Sequence, residues 1–168
     1  MHSNNIPIYQ KKDFHKMHQA GRLAASVLDQ LYELIKPGIS TLEINDFCHD
    51  LIIKNNAIPA PLNYKGFPKS VCTSVNHVVC HGIPNENKLL NNGDIINVDV
   101  TVILDGWYGD SSRMFVAGKT NKKNYDLLKT TFECLHIGIK EAIPGNTFGD
   151  IGHKIQEYAE AKNYSVVR

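Results

Sequence analysis

Residues 95–118 read IINVDVTVILDGWYGDSSRMFVAG, and this stretch decides the fold of the chain. Its two halves, residues 95–103 and 107–115, are the most strand-like segments of the sequence. Between them stands Asp105-Gly106, a dipeptide typical of the two-residue turn of a β-hairpin. The sequence therefore predicts an antiparallel hairpin.

The hairpin brings two aspartates together on its polar face. With Asp105 and Gly106 in the loop, the residue numbers of paired positions sum to 211. Asp99 then lies opposite Ser112, and Asp110 lies diagonally across on the same face, at roughly 7 Å between Cα atoms. The other face of the first strand is apolar and consists of Ile96, Val98, Val100 and Val102.

Two carboxylates at this separation repel each other unless a cation lies between them, and hard divalent metals favour oxygen ligands. A metal site at Asp99 and Asp110 is one interpretation. A solvated polar face, which antiparallel sheets often have, is the other. The hairpin alone leaves both open.

The composition describes one globular unit. The chain has 168 residues, of which 42% are hydrophobic and 21% are charged, and this is enough for a core of its own. The formal net charge is +1, and the only three arginines, Arg22, Arg113 and Arg168, are scattered. We therefore expect no direct contact with nucleic acid.

The sequence also indicates a compartment. No apolar run reaches the roughly 18 residues of a membrane span, and residues 1–10 lack the core of a signal peptide. The four cysteines fall short of the density of a secreted disulfide scaffold. We expect a cytoplasmic protein with reduced thiols and no membrane contact. The cysteines are Cys48, Cys72, Cys80 and Cys134.

Two helices precede the strands. Residues 13–36 show the apolar spacing of one helical face, and Pro37-Gly38 ends that pattern. Ser40 followed by Glu43 is a capping box that opens a second helix, to about Asn55. The apolar positions of the first helix are Met17, Ala20, Ala24, Val27, Leu31 and Leu34.

The helix pair recurs at an offset of 107 residues. Pro144-Gly145 matches the first Pro-Gly pair, and Thr147 with Asp150 matches the first capping box. The sequence therefore predicts a duplicated unit, whose copies run from about 13 to 118 and from about 122 to 168. Chance similarity between helices joined at Pro-Gly turns is the alternative. The apolar face of the third helix consists of Tyr125, Leu128, Phe132, Leu135 and Ile139.

The two copies differ in the residues that come after the helices. After the first pair come strand-like residues 70–75 and 78–80 and then the hairpin, whereas only residues 165–168 come after the second pair. We expect an α+β fold in which the first half-repeat, two helices plus an antiparallel sheet, is complete. We expect the second to be truncated after its helices, within one catalytic domain of residues 1–168.

Residues 64–84 hold the remaining chemical groups. Cys72, His77, Cys80 and His81 suggest zinc, but their spacing lacks the paired form of structural zinc sites. Neighbouring Cys80 and His81 would also point to opposite faces of a strand. His81 is the better candidate for catalysis, because Gly82 ends its strand at a rim where an imidazole can contact substrate.

With these residues assembled, the chain resembles the bacterial-type (type I) methionine aminopeptidases. The resemblance rests on YKGFPKSVCTSVNHVVCHGIP at 64–84, on residues 92–118 and on the Pro-Gly helix pairs, and it covers essentially the whole chain. It implies the pita-bread fold, with two pseudo-symmetric halves around a dinuclear metal centre. It also implies removal of the initiator methionine from new proteins whose second residue is small.

The resemblance assigns roles to residues of this chain. Asp99 would bind one metal ion and Asp110 would bridge both, while His81 would contact the substrate without binding metal. The two divalent ions would be cobalt, manganese, iron or zinc. The methionine pocket would be lined by Tyr64, Phe67 and Cys72.

The chain also departs from the family pattern. Phe67 replaces a frequent tyrosine, Pro61 stands where a pocket cysteine is common, and His77 stands where glutamate is usual. The resemblance implies three further ligands, one histidine and two glutamates, beyond Arg168. His153 is no substitute, because it lies in the second helix of the second unit. We therefore expect the chain to be inactive alone.

Two other functions stay open. One is a prolidase-like peptidase and the other is a non-catalytic pita-bread binding module. The VCHGIP segment at 79–84 favours the methionine-specific branch. The partners implied are the N-termini of nascent polypeptides, with ribosome association and a monomeric state at full length.

Overall fold

A computed structural model describes residues 7–167 of the chain. The first six residues, part of the segment considered for a signal peptide, and Arg168 lie outside the described residues. Within the described part, no helix has both the length and the apolar character needed to cross a membrane. The elements are α1 Lys11–Gln30, α2 Thr41–Lys54, β1 Ile58–Pro59, β2 Cys72–Val75, β3 Ile95–Leu104, β4 Trp107–Val116, α3 Lys122–Glu141 and α4 Phe148–Ala161, with a 3-10 turn at Tyr64–Gly66.

The predicted hairpin and its register are confirmed. β3 pairs antiparallel with β4, and Asp99 lies opposite Ser112 while Thr101 lies opposite Asp110. Both turn residues adopt left-handed backbone conformations, with φ 50° at Asp105 and 81° at Gly106, as a two-residue hairpin turn requires. Along its other edge β3 pairs antiparallel with both β1 and β2, so it is the central strand.

The alternation along β3 separates the core from the polar face. Its even-numbered residues from 96 to 102 are fully buried, and α1 and α2 cover them. The core therefore lies between the sheet and the two helices, and Asp99 faces away from it. The buried helix residues are Ala24, Val27, Leu28, Ile44, Cys48 and Ile52.

The first helix is shorter than the sequence predicts. α1 ends at Gln30, and turns rather than a helix connect it to Pro37. In these turns the Leu34 N–H donates to the Leu31 carbonyl, an i to i+3 bond. The predicted apolar face is buried at four of its positions, but Met17 is 48% exposed.

The helices α2 and α4 resemble each other in backbone detail. α2 and α4 each have 14 residues, are offset by 107 and begin with a capping box, from Ser40 and Thr147. Each comes after a left-handed glycine, with φ 95° at Gly38 and 99° at Gly145. Each is also succeeded by a left-handed asparagine, with φ 55° at Asn56 and 62° at Asn163. The matching caps at both helix ends support the predicted duplication, which stays a prediction.

The strand predicted at residues 78–80 is wrong. β2 ends at Val75, and Asn76 turns the chain with φ 53°. The Asn76 side-chain oxygen accepts a hydrogen bond from the Ile95 N–H. This N–H belongs to the first residue of β3, at the point where the pairing of β2 with β3 ends. Residues 76–81 therefore form a loop, which returns to β2 where the Thr73 N–H donates to the Gly82 carbonyl.

The chain divides into two compact units between Thr120 and Asn121. The second unit contains α3 and α4, which pack through the small residues of α3. Gly138 lets Ile155 approach so closely that a Cβ there would stand 2.8 Å from the Ile155 Cδ1. Tyr158 of α4 donates a 2.6 Å hydrogen bond to Glu133 of α3.

The apolar face predicted for α3 does not meet α4. Phe132 and Leu135 are 60% and 53% exposed, whereas Thr130, Cys134 and Gly138 are buried. Small residues allow the two helix backbones to approach, so α4 covers that face instead. Sequence periodicity finds an apolar face but does not say which neighbour covers it.

One close approach fixes the hairpin on α1. A Cβ on Gly109 would lie 2.2 Å from the Ala20 carbonyl oxygen and 2.6 Å from the Gly21 nitrogen. The α1 backbone therefore rests directly on β4, one residue before Asp110. Only glycine fits this contact, because both clashing atoms belong to backbone.

We predict that Gly109→Ala destabilises the protein by about 2 kcal/mol, since the added methyl must displace a helix backbone. Urea unfolding followed by the fluorescence of Trp107, the only tryptophan, measures the change next to the contact. Gly21→Ala is the matched control, because a Cβ there meets nothing within 4 Å, and it should be neutral or slightly stabilising. Equal stability of Gly109→Ala and wild type would contradict the close approach.

Candidate metal and substrate site

A cavity of about 840 Å³ opens on the polar side of the first unit. All six residues singled out from the sequence line it. They come from three places, namely the turn after β1, the β2 strand with its return loop, and the hairpin. The six are Tyr64, Phe67, Cys72, His81, Asp99 and Asp110.

The two aspartates project from neighbouring strands of the hairpin onto one face. Asp99 lies two residues before Thr101 on β3, and Thr101 lies directly opposite Asp110 on β4. The Thr101 hydroxyl donates a 3.0 Å hydrogen bond to Oδ1 of Asp110. This bond occupies one Asp110 oxygen and holds that carboxylate beside the strand of Asp99.

The Asp99 carboxylate is partly buried and poorly compensated. Its pKa is raised, first by burial and then by the Asp110 carboxylate, while His81 acts in the opposite direction. Within residues 7–167, no hydrogen bond or ion pair satisfies it. A cation between the two carboxylates would relieve both the burial cost and the repulsion, so this pair of oxygen donors fits a divalent metal.

The two aspartates do not complete a metal site by themselves. No group of three or more His, Cys, Asp or Glu side chains within the described part of the chain could hold a metal ion. That finding also disfavours the zinc interpretation of Cys72, His77, Cys80 and His81. Divalent ions take more than two protein or water ligands, so further ligands are needed for tight binding.

Cys72 forms an apolar wall of the cavity. The residue is 8% exposed and lies opposite Asp99 in the β2–β3 register. Burial, with smaller contributions from the Asp99, Cys80 and Asp110 charges, raises the pKa of Cys72 to about 11. The thiol is therefore protonated near neutral pH, and it presents a small apolar surface rather than a thiolate ligand.

A strained backbone presents His81. Its φ is 54°, a left-handed conformation that few non-glycine residues adopt. The next residue, Gly82, donates its N–H to the buried Ser74 hydroxyl, and its carbonyl accepts from the Thr73 N–H. A Cβ on Gly82 would lie 2.1 Å from the Thr73 carbonyl oxygen, so only glycine permits this anchoring. The anchored glycine holds His81 at the cavity rim.

The turn that carries Tyr64 and Phe67 is fixed from behind. The Asn45 side-chain oxygen on α2 accepts the Ser70 N–H at 2.8 Å. The Ser70 hydroxyl makes a further 2.8 Å hydrogen bond with Nδ1 of His49. Asn45 and Ser70 are both buried, so α2 holds the segment between the Tyr64–Gly66 turn and Cys72 in place.

Sequence reasoning missed several residues of the cavity. Tyr108 lies two residues before Asp110 on β4, and strand alternation gives it the same face, so this signal was available. Lys65 and Ile83 also line the cavity, and nothing in the local sequence pattern indicates this. Their positions result from left-handed backbone at Lys65, φ 47°, and from the return of the 76–82 loop to β2.

The sequence matches the model of metallopeptidase family M24 over residues 15–168. It is 58% identical over 163 residues to a methionine aminopeptidase of Rickettsia prowazekii (strain Madrid E), covering 97% of this chain and 62% of that protein. It is 50% identical over 165 residues to methionine aminopeptidase A of a Synechocystis strain, covering 98% of this chain and 65% of that protein. The chain thus spans less than two thirds of the length of these relatives.

The fold matches solved structures of the same kind. The crystal structure of methionine aminopeptidase from Rickettsia prowazekii superposes with a TM-score of 0.94 at 58% identity, over 97% of this chain and 65% of that one. The fold is therefore that of the pita-bread metallopeptidases, as predicted. A prolidase from Pyrococcus furiosus matches with a TM-score of 0.79 at 20% identity, over 94% of this chain and 45% of that one, and this likeness concerns the fold alone.

We predict that Asp99→Asn stabilises the metal-free protein at pH 7, by up to about 1 kcal/mol, the scale of a solvent-screened charge pair. The folded pKa of Asp99 is raised above its ordinary value of 3.8, so the wild type loses stability as the pH rises from 3.8 through the folded pKa. The asparagine variant should not show that loss, and the two should converge below pH 3.8.

Urea unfolding in chelator at pH 3.5, 5 and 7 measures this difference. Asp105→Asn is the matched control, because that residue lies exposed in the hairpin turn at a φ of 50° that asparagine tolerates. A wild type as stable as Asp99→Asn at pH 7 would show that the two carboxylates do not oppose each other.

Proposed function

Because this chain belongs to metallopeptidase family M24, we propose that it is the metal-binding and substrate-binding part of an enzyme that removes the N-terminal methionine from new proteins. One observation carries the proposal: two carboxylates, a histidine and a small, largely apolar pocket converge on one cavity. The methionine aminopeptidases among its relatives favour methionine as the residue released.

In this proposal Asp99 and Asp110 hold divalent metal. Two ions of manganese, iron, cobalt or zinc are compatible with an oxygen-rich donor set. The metal supplies Lewis acidity and a lowered pKa of water, which peptide hydrolysis at neutral pH needs. Thr101 supports the donor set by orienting the Asp110 carboxylate through its hydroxyl. The remaining ligands would come from sequence that the longer relatives have in addition.

His81 would act on the substrate. Its backbone lies at the cavity rim, and the hydrogen bonds of its neighbour Gly82 with Ser74 and Thr73 fix that position. An imidazole there can donate to the substrate amide or stabilise the oxyanion that develops at the carbonyl carbon. The strained backbone at this residue supports a functional role, since such strain persists where structure enforces it.

The pocket walls would select the first side chain. Tyr64, Phe67 and Cys72 offer two aromatic faces and a protonated thiol. A flexible thioether fits such a slot well, because sulfur contacts with aromatic rings are favourable. The methionine side chain would enter this slot, while the scissile bond lies between the carboxylates and His81.

The alternatives make different demands on the same cavity. A prolidase-like peptidase would release the residue before a proline, and its support is limited to fold similarity. A binding module needs no metal, which leaves the repulsion between Asp99 and Asp110 without a purpose. The methionine-specific peptidase accounts for both the charged and the apolar parts of the cavity.

The substrate determines the partners. Nascent polypeptide N-termini with a small second residue would enter the cavity, at or near the ribosome. We further propose a cytoplasmic location and a monomeric full-length enzyme with no membrane contact.

We predict that methionine is released from Met-Ala-Ser, with manganese or cobalt present, by a form extended to the length of the relatives. The 168-residue chain alone should release none, because only two carboxylates face its cavity. In the extended form Asp110→Asn should lower kcat/KM by at least about 100-fold, and Asp105→Asn should leave it unchanged. Robust turnover by the short chain that Asp110→Asn abolishes would show the ligand count to be wrong. Release from Ala-Pro but not from Met-Ala-Ser would favour the prolidase.

We predict that Cys72→Phe fills the slot and depresses methionine cleavage by the extended form at least about tenfold, without loss of metal. Norleucine in place of methionine should still be accepted by the unaltered enzyme, since one methylene in such a slot is worth only about 1 to 3 kcal/mol. Cys72→Ser is the control for thiol chemistry and should keep most activity. Metal content by atomic emission separates the outcomes, because a metal-free Cys72→Phe enzyme would make Cys72 a ligand.

A further inference from the structure

The first half of α1 gathers cations that the sequence composition conceals. Residues 11–22 hold four lysines and arginines but a single carboxylate, Asp13, whereas the whole chain has a net charge of only +1. We define the α1 basic stripe as Lys11, Lys12, His15, Lys16, His18 and Arg22, all of them exposed.

The α1 basic stripe is continuous along the helix. Lys11, His15, His18 and Arg22 succeed each other at steps of four, three and four residues, which places them in one line. Lys12 and Lys16 flank that line. From Lys11 to Arg22 the helix rises roughly 16 Å.

No carboxylate within the described part of the chain neutralises the stripe. The ion pairs there join Arg113 to Asp29, Lys122 to Asp126 and Lys154 to Glu157. Asp13 accepts the Gln10 N–H and so serves the helix cap. The four lysine and arginine side chains of the stripe therefore lack an ion-pair partner among the described residues, and such a group attracts a polyanion most strongly at low salt.

The surroundings of the stripe favour RNA over a membrane. The apolar face of α1 is buried against the sheet at Ala20, Ala24 and Val27. In the first half of the helix this leaves Phe14 and Met17 as exposed apolar side chains, too few to form the continuous apolar face with which an interfacial helix enters a bilayer. Beside the stripe Phe14 is 57% exposed and offers a ring on which an unpaired base can stack.

A chain of contacts connects the stripe to the cavity. Tyr9, just before α1, packs edge-on against Trp107, with ring centroids 5.3 Å apart. Ala20 touches Gly109. Between these two contacts on β4 is Tyr108, which lines the cavity. The helix that carries the stripe therefore packs on the part of β4 that contributes Tyr108 to the cavity, from the opposite face of that strand.

We propose that the α1 basic stripe binds single-stranded RNA through its phosphates, with Phe14 stacking on a base. The proposal departs from the sequence expectation of no direct nucleic-acid contact, because an average charge of +1 says nothing about a local cluster. It rests on charge and geometry and does not require the peptidase activity proposed above. RNA bound there would keep the cavity near sites of protein synthesis.

The test measures binding of a fluorescein-labelled 20-nucleotide single-stranded RNA by anisotropy, in chelator and without peptide, at several salt concentrations. Combining Lys11→Gln, Lys12→Gln, Lys16→Gln and Arg22→Gln should weaken binding at least tenfold in 50 mM salt. It should also reduce the slope of log affinity against log salt by about 3. Phe14→Ala should weaken binding of the single strand several-fold and leave duplex RNA unaffected.

A matched control removes the same charge elsewhere. Lys54→Gln, Lys88→Gln, Lys119→Gln and Lys140→Gln alter four exposed lysines outside the stripe, and binding should stay within twofold of wild type. Glutamine is a good helix former, and circular dichroism verifies that α1 persists. Three outcomes would overturn the proposal: no RNA binding by the wild type at 50 mM salt, equal loss in the control, or stripe-dependent binding only to phosphatidylserine vesicles. Methionine release is measured separately, so failure of one assay leaves the other interpretable.

Discussion

The register of the β3–β4 hairpin is the constraint on which the rest of the site depends. A two-residue turn at Asp105-Gly106 fixes which residues face each other, and the period of two along each strand then fixes every side chain's face. A slip of β3 by one residue would send Asp99 into the core and Val98 and Val100 into the cavity. Since the apolar side is sealed by two helices, such a slip would cost most of the core.

The site inherits an electrostatic conflict from this arrangement. Burial and the neighbouring Asp110 charge both raise the Asp99 pKa, so the metal-free fold gives up stability to hold the carboxylates together. A divalent cation between the two carboxylates would remove this cost. Burial raises the pKa of the adjoining Cys72 thiol, and the charges of the two carboxylates raise it further. The thiol therefore stays protonated, and the pocket wall that it forms stays uncharged. The cavity thus combines a pair of opposed carboxylates with a neutral thiol wall.

The parts of the structure that the sequence predicts correctly are encoded locally. The hairpin depends on a dipeptide and an alternation, and the α2 and α4 starts depend on boxes of four residues, Ser40 to Glu43 and Thr147 to Asp150. The hairpin pattern indicates Asp99 and Asp110, and the family resemblance adds the pocket residues Tyr64, Phe67 and Cys72. The structure places all of these, together with His81, on one cavity. The errors are of another kind. The strand expected at residues 78–80 is a loop because Asn76 takes a left-handed turn, and a hydrogen bond to distant Ile95 stabilises that turn.

The burial of the apolar helix faces shows most clearly what the local sequence does not predict. α1 and α3 both precede Pro-Gly turns and both carry an apolar face, yet Ala24 and Val27 of α1 are buried whereas Phe132 and Ile139 of α3 are exposed. The difference lies in the neighbour, because α1 meets the sheet at a glycine of β4, while α3 meets α4 through its own Gly138. Charge behaves in the same way, because the net charge of +1 gives no sign of the three lysines and one arginine that lie together on the first half of α1. Periodicity therefore identifies a surface, but only the packed structure says what that surface is for.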